Sequence, residues 1–360
     1  MELLIPGLPD EIARECLVRV PYHCWGAVRS VCKLWRDEVE SPDFHGLRRA
    51  SGLACPVVAL SQSEPVPVSG GPASKYAFTP SYRVALFEPD PGAWRTLPPV
   101  PGLPHGLPLF CQLAGAGREL VVVGGWNPET WVASDEVHVY DFIAGAWRRG
   151  ARMPGPRRSF FACASDGRRT VFVAGGHDED KNAMRSAMAY DVARDEWTLL
   201  PDMARDRDEC KGMFRRGAFH VVGGYSTEMQ GRFGKSSEAF DLAAWRWGPV
   251  EEDILEAGAC PRTCVACTDG RVYRCRVGSV VVMEGKGWQP VAELPKDARV
   301  TPHMVAWRGK VLAMGSASHG VPHAAYILEE AAEGKGHRWE RAVVPKEYSG
   351  QVQAGCSLEI

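Results

Sequence analysis

The sequence contains no long apolar run and no excess of charge of one sign. The apolar run around Val121–Val123 is far too short to cross a bilayer. The formal net charge of -2 argues against a surface that binds nucleic acid or anionic membranes. The start, MELLIPGLPDE, has no basic region and no apolar core, so we expect no secretory signal. A hydrophobic content of 45% indicates instead a globular chain with a sizeable core.

Cysteines are plentiful, but the setting expected for disulfides is lacking. Without an export signal, we interpret the 12 cysteines as reduced thiols and expect a location in the cytoplasm, the nucleus or both. Cys260, Cys264, Cys267 and Cys275 suggest zinc at first sight. They fall on adjacent predicted strands, however, and no second well-spaced Cys or His pair accompanies them. Core cysteines are the better interpretation, and no metal site is predicted.

Motifs for catalysis are lacking as well. FGKSS at 233–237 resembles the end of a phosphate-binding loop, but Met229 stands where that loop needs its first glycine. No histidine is paired with a second ligand at i+2 or i+4 beside a carboxylate. We therefore predict no catalytic residues and no cofactor, and interpret the chain as a binding protein and not as an enzyme.

A repeated pattern with a period of about 50 residues dominates the rest of the chain. VVVGGW ends at Trp126, FVAGGH at His177 and HVVGGY at Tyr225. Each copy is followed by an aromatic-Asp pair and then by a tryptophan seven residues after the aromatic. The pairs are Tyr140-Asp141, Tyr190-Asp191 and Phe240-Asp241, and the tryptophans are Trp147, Trp197 and Trp247. This fixed register predicts the blades of a β-propeller.

Degenerate copies extend the pattern to six blades. Phe87 precedes a tryptophan by the same seven residues, and Gly315-Ser316 takes the Gly-Gly position of the last copy. The six tryptophan markers are Trp94, Trp147, Trp197, Trp247, Trp288 and Trp339. They predict an all-β, six-bladed propeller over residues 53–360, and the repeats resemble kelch repeats.

We interpret the repeated residues as structural. Paired glycines allow a turn with positive φ and a close strand approach that a Cβ would block. The aromatic and the tryptophan are expected to fill the space between neighbouring sheets. The aspartate after the aromatic is expected to accept hydrogen bonds within a turn.

The last predicted strand, VQAGCSLE at 352–359, is surplus to blade six. The first blade, in turn, has no inner strand before CPVVALSQ. We therefore predict that 352–359 pairs into blade one and closes the ring, so that no sheet edge stays open. The Ser-, Pro- and Gly-rich residues 62–74 are expected to form a surface loop.

Residues 1–45 follow a helical period instead. Val28, Val31, Cys32 and Trp35 lie at i, i+3, i+4 and i+7, which places them on one helix face. We predict two or three short helices there, followed by a basic linker over 46–52. So small a helical unit cannot form a robust core alone, which indicates that a partner covers part of its apolar surface.

The helical segment resembles an F-box. The resemblance rests on LPDEIARECLVRVP followed by VRSVCKLWRDEVESPDF. It implies docking on the Skp-type adaptor of an SCF ubiquitin ligase, which also contains cullin and RING subunits. The residues predicted to bind this adaptor are Leu8, Pro9, Ile12, Leu17, Val28, Val31, Cys32 and Trp35. The alternative is a helical cap that only packs on the propeller.

One face of the propeller is predicted to bind a target protein. In a four-stranded antiparallel blade, the loop after the Gly-Gly strand emerges beside the loop that leads into the first strand. The residues predicted for this face are Trp126, Asn127, Arg157, Arg158, His177, Asp178, Asp208, Glu209, Tyr225, Arg262 and His303. Trp, Tyr and Arg often anchor interfaces, although any of these residues could be a solvated loop residue. The charged segment 205–212 could equally form an intramolecular ion-pair network that fixes blade four.

The order of the two modules, from Leu4 to Ile360, resembles a group of plant kelch-repeat F-box proteins. This resemblance implies a substrate receptor of an SCF ubiquitin ligase. Targets described for the group include phenylalanine ammonia-lyase, in phenylpropanoid metabolism, and type-B response regulators. The insert at 62–74 and the loops after the Gly-Gly pairs depart from the group, so the target stays open. The alternatives are a kelch scaffold that works without ubiquitin and a kelch-propeller enzyme.

Overall fold

The computed structural model describes residues 3–65, 80–285, 287–331 and 336–360. The amino-terminal part contains four α-helices, with a 3₁₀ turn at Tyr22–Cys24 between the first two. They are α1 (Asp10–Leu17), α2 (Trp25–Val31), α3 (Lys33–Glu40) and α4 (Pro42–Ala50). Among these described helices, none combines the length and the apolar character needed to cross a membrane.

The linker predicted over 46–52 is wrong for its first five residues, because α4 continues to Ala50. Ser41 caps this helix by accepting a hydrogen bond from the Phe44 amide at 3.1 Å, and Pro42 occupies its first turn. Both features start helices. The surface loop predicted for 62–74 also begins too early, since Gln62 and Ser63 are buried in a strand. The rest of that loop, from residue 66, lies outside the described residues.

Twenty-four described strands form the propeller, in chain order. The first three blades contain β1–β3 (Pro56–Ser63, Tyr82–Glu88, Ala93–Thr96), β4–β7 (Gln112–Ala116, Glu119–Val123, Val137–Asp141, Ala146–Gly150) and β8–β11 (Ala162–Ser165, Thr170–Ala174, Ala187–Asp191, Glu196–Leu200). The next two contain β12–β15 (Lys211–Arg215, Ala218–Val222, Ser237–Asp241, Arg246–Trp247) and β16–β19 (Val265–Ala266, Val272–Arg276, Ser279–Glu284, Gly287–Glu293). The sixth contains β20–β23 (Val300–Trp307, Lys310–Ser316, Ala324–Glu330, His337–Ala342), and β24 (Val352–Glu359) follows.

These strands form six four-stranded antiparallel sheets within the described residues. The first sheet has the order β24-β1-β2-β3, so the latest strand is the inner strand of the first blade. Leu60 of β1 faces Gly355 of β24, and the Cys55 amide donates to the Ile360 carbonyl at 2.6 Å. The prediction of an all-β six-bladed propeller behind a small helical domain is confirmed.

The six marker tryptophans connect neighbouring blades. Each lies on or next to an outer strand, and its indole N–H donates to a backbone carbonyl of the preceding blade at 2.7–2.9 Å. The pairs are Trp94 with Val343, Trp147 with Pro98, Trp197 with Ala151, Trp247 with Pro201, Trp288 with Ile254 and Trp339 with Glu293. Sequence reasoning predicted only packing for these rings. The structure adds a ring of hydrogen bonds that includes the junction between the sixth and the first blade.

The other repeated residues have the predicted structural roles. Gly125 has a φ of +92°, and a Cβ there would lie 2.7 Å from the Leu109 carbonyl oxygen. Asp141 accepts hydrogen bonds from the Ile143 and Ala144 amides at 2.7 and 3.1 Å. These contacts fix the turns and let neighbouring strands approach closely.

The helical domain packs directly against the first two blades. Its Leu17, Trp25 and Phe44 share one continuous buried cluster with propeller residues. The Tyr22 hydroxyl donates to the buried Glu88 carboxylate at 2.7 Å, and its ring contacts Phe142 with centroids 5.6 Å apart. The helices and the blades therefore share a core.

Candidate functional site

Three of the predicted adaptor residues already make contacts inside the protein. Leu17 and Val28 are buried in the shared core, so they hold the helices together and cannot contact a partner. Trp35 is half-buried, and its indole N–H donates to the Leu4 carbonyl at 2.6 Å. The sequence pattern could not separate inward from outward apolar residues, because the second surface that covers this face belongs to the propeller.

Four of the other five predicted adaptor residues are exposed. Ile12 is 50% and Val31 59% exposed, while Pro9 and Cys32 are also exposed and Leu8 is half-buried. Their side chains remain open to a partner, unlike Leu17 and Val28, which the shared core already covers. We call Pro9, Ile12, Val31 and Cys32 the exposed helix residues.

The predicted target face lies at the other end of the blades. β5 and β6 are antiparallel, so the residues after β5 and those after β6 emerge at opposite ends. Trp126 follows β5, whereas Phe142, which contacts Tyr22 of the helical domain, follows β6. The exposed helix residues and the loops after the Gly-Gly strands therefore belong to opposite sides of the propeller.

The loops at the target face meet in the same way in three successive blades. Isolated antiparallel bridges join Leu109 to Trp126, Ser159 to His177 and Asp208 to Tyr225. The structure thus brings the residue after each Gly-Gly pair beside the residues that precede an inner strand. This arrangement follows from the repeat and positions homologous side chains around one opening.

An aromatic cluster lies at this opening, formed by Phe110, Trp126, Trp131 and Phe160. Ring centroids lie 5.0 Å apart for Phe110 and Phe160, 5.6 Å for Trp126 and Phe160, and 6.3 Å for Trp126 and Trp131. Trp131 is 56% exposed. Phe110 and Phe160 have φ values of +59° and +53°, which are strained for bulky residues and are often found at functional sites.

Sequence reasoning found only Trp126 of this cluster. Phe110 and Phe160 occupy the same position in consecutive repeats, two residues before β4 and β8. Comparing equivalent positions between the repeats would have shown that both are aromatic. The positive φ of these two residues, which sets the direction of their rings, cannot be predicted from the residue type.

Polar residues continue the opening beyond the cluster. His177 Nδ1 lies 2.9 Å from an Asp208 carboxylate oxygen, and the Tyr225 hydroxyl donates to Glu209 at 2.9 Å. Burial and the Glu209 carboxylate raise the pKa of Tyr225, so its hydroxyl stays protonated. The Trp126 indole N–H donates to the Ser159 hydroxyl. These side chains hold one another in fixed orientations.

Arg158 does not belong to the target face, which corrects the prediction. It is 1% exposed, and its guanidinium donates to the Gly175 and Ser186 carbonyls, each at 3.2 Å. Burial lowers its pKa to about 10, so it remains charged at neutral pH. Arg207, absent from the predicted residues, makes the equivalent contacts with Gly223 and Ser236 in the next blade.

Other predicted residues are only partly available. Asp208, Tyr225 and His303 are buried, and Asn127 and Asp178 accept hydrogen bonds within their own loops. Arg157 and Arg262 are exposed. In the segment 205–212, Arg205 pairs with Glu252 and Arg207 with Glu238, so it forms the intramolecular network that the sequence left open.

The part of the chain that the structure describes contains no candidate metal centre. No group of three or more His, Cys, Asp or Glu residues there could hold an ion. Burial raises the pKa of the Cys264, Cys267 and Cys275 thiols to about 12, so they are neutral thiols at pH 7.

Both modules match models of known protein families. The F-box domain model matches residues 5–46, and the Kelch motif model matches residues 110–154 and 156–204. Two relatives, the F-box/kelch-repeat proteins At1g80440 and At1g15670 of Arabidopsis thaliana, are 45% and 46% identical over 99% of this chain and 99% of their own. The chain belongs to the F-box/kelch-repeat family.

A more distant relative has the same module order. The F-box/kelch-repeat protein SKIP20 of Arabidopsis thaliana is 33% identical over 98% of this chain and 96% of its own. A solved structure described as the structure of YjhT is 11% identical and covers 72% of this chain and 91% of its own, with a TM-score of 0.55, which supports the fold alone. F-box/kelch-repeat proteins are generally substrate receptors of SCF ubiquitin ligases.

Proposed function

We propose that this F-box/kelch-repeat protein is the substrate-recognition subunit of an SCF-type ubiquitin ligase and is itself non-catalytic. Its helices bind the Skp-type adaptor, and its propeller binds a target protein for ubiquitination and proteasomal degradation. One observation carries this proposal: the chain presents two accessible apolar surfaces on opposite sides of a shared core. A receptor needs this geometry, because the ligase and the target must bind together without overlap.

The exposed helix residues suit a helix-in-groove contact. Among the described residues of α1–α4, Ile12 and Val31 are the large apolar side chains with the greatest exposed fractions, 50% and 59%. A few buried apolar anchors supply most of the free energy of such interfaces. The adaptor would cover these side chains, while Leu17 and Val28 keep the helices folded beneath them.

The aromatic cluster suits target recognition. Aromatic side chains bury large areas with little loss of rotamer entropy and are frequent interface anchors. As targets we propose phenylalanine ammonia-lyase or a type-B response regulator, the classes that the resemblance to the plant group implies. The proposed location is the cytoplasm, the nucleus or both.

The double variant Ile12→Glu/Val31→Glu tests adaptor binding. We expect it to lose recovery of a purified Skp-type adaptor by at least roughly tenfold, since two charges would enter an apolar interface. The matched control is Leu199→Glu, at a side chain 69% exposed on β11 of the propeller, which should recover the adaptor like the wild type. Equal adaptor recovery by all three proteins contradicts the proposal.

Trp131→Ala tests the target side, with adaptor recovery and reconstituted ubiquitination as the two measurements. We expect it to bind adaptor normally but to lose reconstituted ubiquitination of phenylalanine ammonia-lyase or of the response regulator. Two results together would support the alternative of a kelch scaffold that works without ubiquitin. The protein would bind both candidate targets without promoting their ubiquitination, and proteasome inhibition would not change the abundance of its partners.

A further inference from the structure

The inner strands of the six blades surround a central channel. Its lining comes from β4, β8, β12, β16, β20 and β24 and the loops at their ends, and it encloses about 710 Å³. Small-molecule sites typically occupy roughly 300–1,000 Å³. The channel is therefore large enough for a small metabolite.

The channel lining is more positive than the protein as a whole. The whole chain has a formal net charge of -2. The lining has five cationic side chains and two acidic ones. The cations are Arg168, Lys211, Arg215, Arg216 and Arg262, and the acids are Asp166 and Glu209. A cleft with low-dielectric walls and one sign of charge concentrates counter-ions of the other sign.

The two acids do not neutralise the middle of the channel. Asp166 accepts hydrogen bonds from the Arg168, Arg169 and Thr170 amides at 2.8–3.0 Å, which ties its carboxylate to a turn. Glu209 accepts the Tyr225 hydroxyl at 2.9 Å. Within the described ranges, no carboxylate oxygen lies within 4.0 Å of the Lys211 ammonium group. Burial lowers the pKa of Lys211, as expected for a cation without a counter-charge.

His303 is one of the residues that line this channel, and it has an unpaired polar atom. It is 8% exposed, and among the described residues its Nε2 is buried with no hydrogen-bond partner. Nε2 lies close to Gly355, where a Cβ would be 3.2 Å away. Burial, with the Lys211 and Arg262 charges, lowers the pKa of His303 to about 3. An unsatisfied buried polar atom costs free energy unless a ligand or water completes it.

We propose that the central channel is a binding site for a small oxyanion, the phosphate or carboxylate group of a small molecule, held by Lys211, Arg262 and His303. Such an anion would supply a counter-charge to Lys211 and Arg262, neither of which forms an ion pair within the described residues, and a partner for the imidazole. The proposal goes beyond target recognition, because it needs neither the ligase nor the aromatic cluster. It gives the propeller a ligand of its own at the axis of its blades.

Calorimetric titration of the full chain at pH 7.0 tests this site, with inorganic phosphate and malonate as probes and ionic strength held constant with chloride. We expect saturable binding of one phosphate or malonate per chain. Arg262→Gln and Lys211→Gln should each weaken that binding by roughly tenfold, the effect of one charge-assisted hydrogen bond. Arg262 is exposed, so its variant decides the question even if Lys211→Gln folds poorly.

The matched control is Arg157→Gln, which removes one positive charge at an exposed position outside the channel and should bind phosphate like the wild type. A second readout is the His303 imidazole resonance, assigned with His303→Gln, which should shift on phosphate addition. The proposal is overturned by heats that match a chloride titration, by equal affinity of the wild type and the Arg262→Gln protein, or by an unchanged His303 resonance.

Discussion

Arg157 and Arg158 are neighbours in the chain with opposite surroundings. Arg157 is exposed, and its guanidinium lies 3.8 Å from the Glu179 carboxylate. Arg158 is enclosed and donates to the Ser186 hydroxyl at 3.0 Å as well as to two carbonyls. Those carbonyls belong to the Gly-Gly turn and to the residue immediately before β10. The Ser186 carbonyl also accepts the Gly175 amide at 3.1 Å, so the guanidinium adds a second donor there and supplies a donor to the Gly175 carbonyl.

Arg158→Met should therefore destabilise the protein by roughly 1–3 kcal/mol, because the Gly175 carbonyl and the Ser186 hydroxyl lose their guanidinium donors while the side-chain volume is nearly kept. The midpoint of urea unfolding measures this change. Arg157→Met is the control and should stay within about 0.5 kcal/mol of the wild type. Equal midpoints for the two variants would assign Arg158 to the surface after all.

The repeated residues were predictable from sequence, whereas Arg158 was not. Gly125, Asp141 and Trp147 are fixed by spacing and by the local chemistry of turns and wedges. A charged residue in a loop is exposed by default, and its burial depends on carbonyls of other strands. The one usable signal is that Arg207 occupies the equivalent position in the next repeat.

The carboxy-terminal strand is the element on which the closed ring depends. β24 pairs with β1 over seven residue pairs, from Pro56 with Glu359 to Gln62 with Val352. Gln62 reinforces this junction, because its side-chain amide donates to the Gly350 carbonyl at 3.0 Å. Without β24, the buried strand β1 would become an open sheet edge.

Deletion of residues 350–360 should abolish the cooperative thermal transition of the full chain or lower its midpoint by more than 10 °C. The reasons are the lost strand pairing and the exposure of an apolar edge, which also favours aggregation. Calorimetry and light scattering measure both effects. Val277→Asp, at a fully exposed turn position, is the control and should melt like the wild type. An unchanged midpoint after the deletion would refute closure by β24.

Most strands could be placed from sequence, but the end of the helical domain could not. In the sequence, Ser41-Pro42 indicates the end of a helix, because proline cannot continue one. The same pair also starts a helix, with Ser41 as the cap and Pro42 in the first turn. Phe44 and Arg48 then bury one face of α4. A stop and a start at one position are distinguished only by what packs on the following residues.

At the scale of the molecule, the F-box is part of the propeller's own core. Tyr22 contacts both Glu88 and Phe142, and the Arg118 side chain of blade two donates to the Glu40 carbonyl at 3.0 Å. This packing is compatible with the helical-cap alternative, but it does not decide between that alternative and adaptor binding, because Ile12 and Val31 stay exposed. The apolar residues of each module could be predicted from sequence patterns. The contacts between the two modules could not, because they join residues that are far apart in the chain.

Removal of residues 1–50 should therefore lower the melting temperature of the propeller by several degrees. It uncovers Phe142 and leaves the Glu88 carboxylate without the Tyr22 hydroxyl, a loss of roughly 1–3 kcal/mol at about 2–4 °C per kcal/mol. Differential scanning fluorimetry measures the shift. The Ile12→Glu/Val31→Glu protein is the matched control, since it changes only open side chains and should melt like the wild type. A deletion protein as stable as the full chain would show that the two modules fold independently.

The order of the strands has a consequence for how the protein is made. Gln353 donates to Ser61 across 292 residues of chain, so β1 leaves the ribosome long before its partner exists. During that interval, β1 has a row of unpaired backbone groups that other nascent chains can join. Because Leu358 and Trp25 belong to one buried cluster, the helices also lack part of the apolar surface on which they pack until β24 has been synthesised. A product of stalled translation that ends within blade six would therefore carry an open sheet edge, which chaperones and proteases can recognise before any ligase could include it.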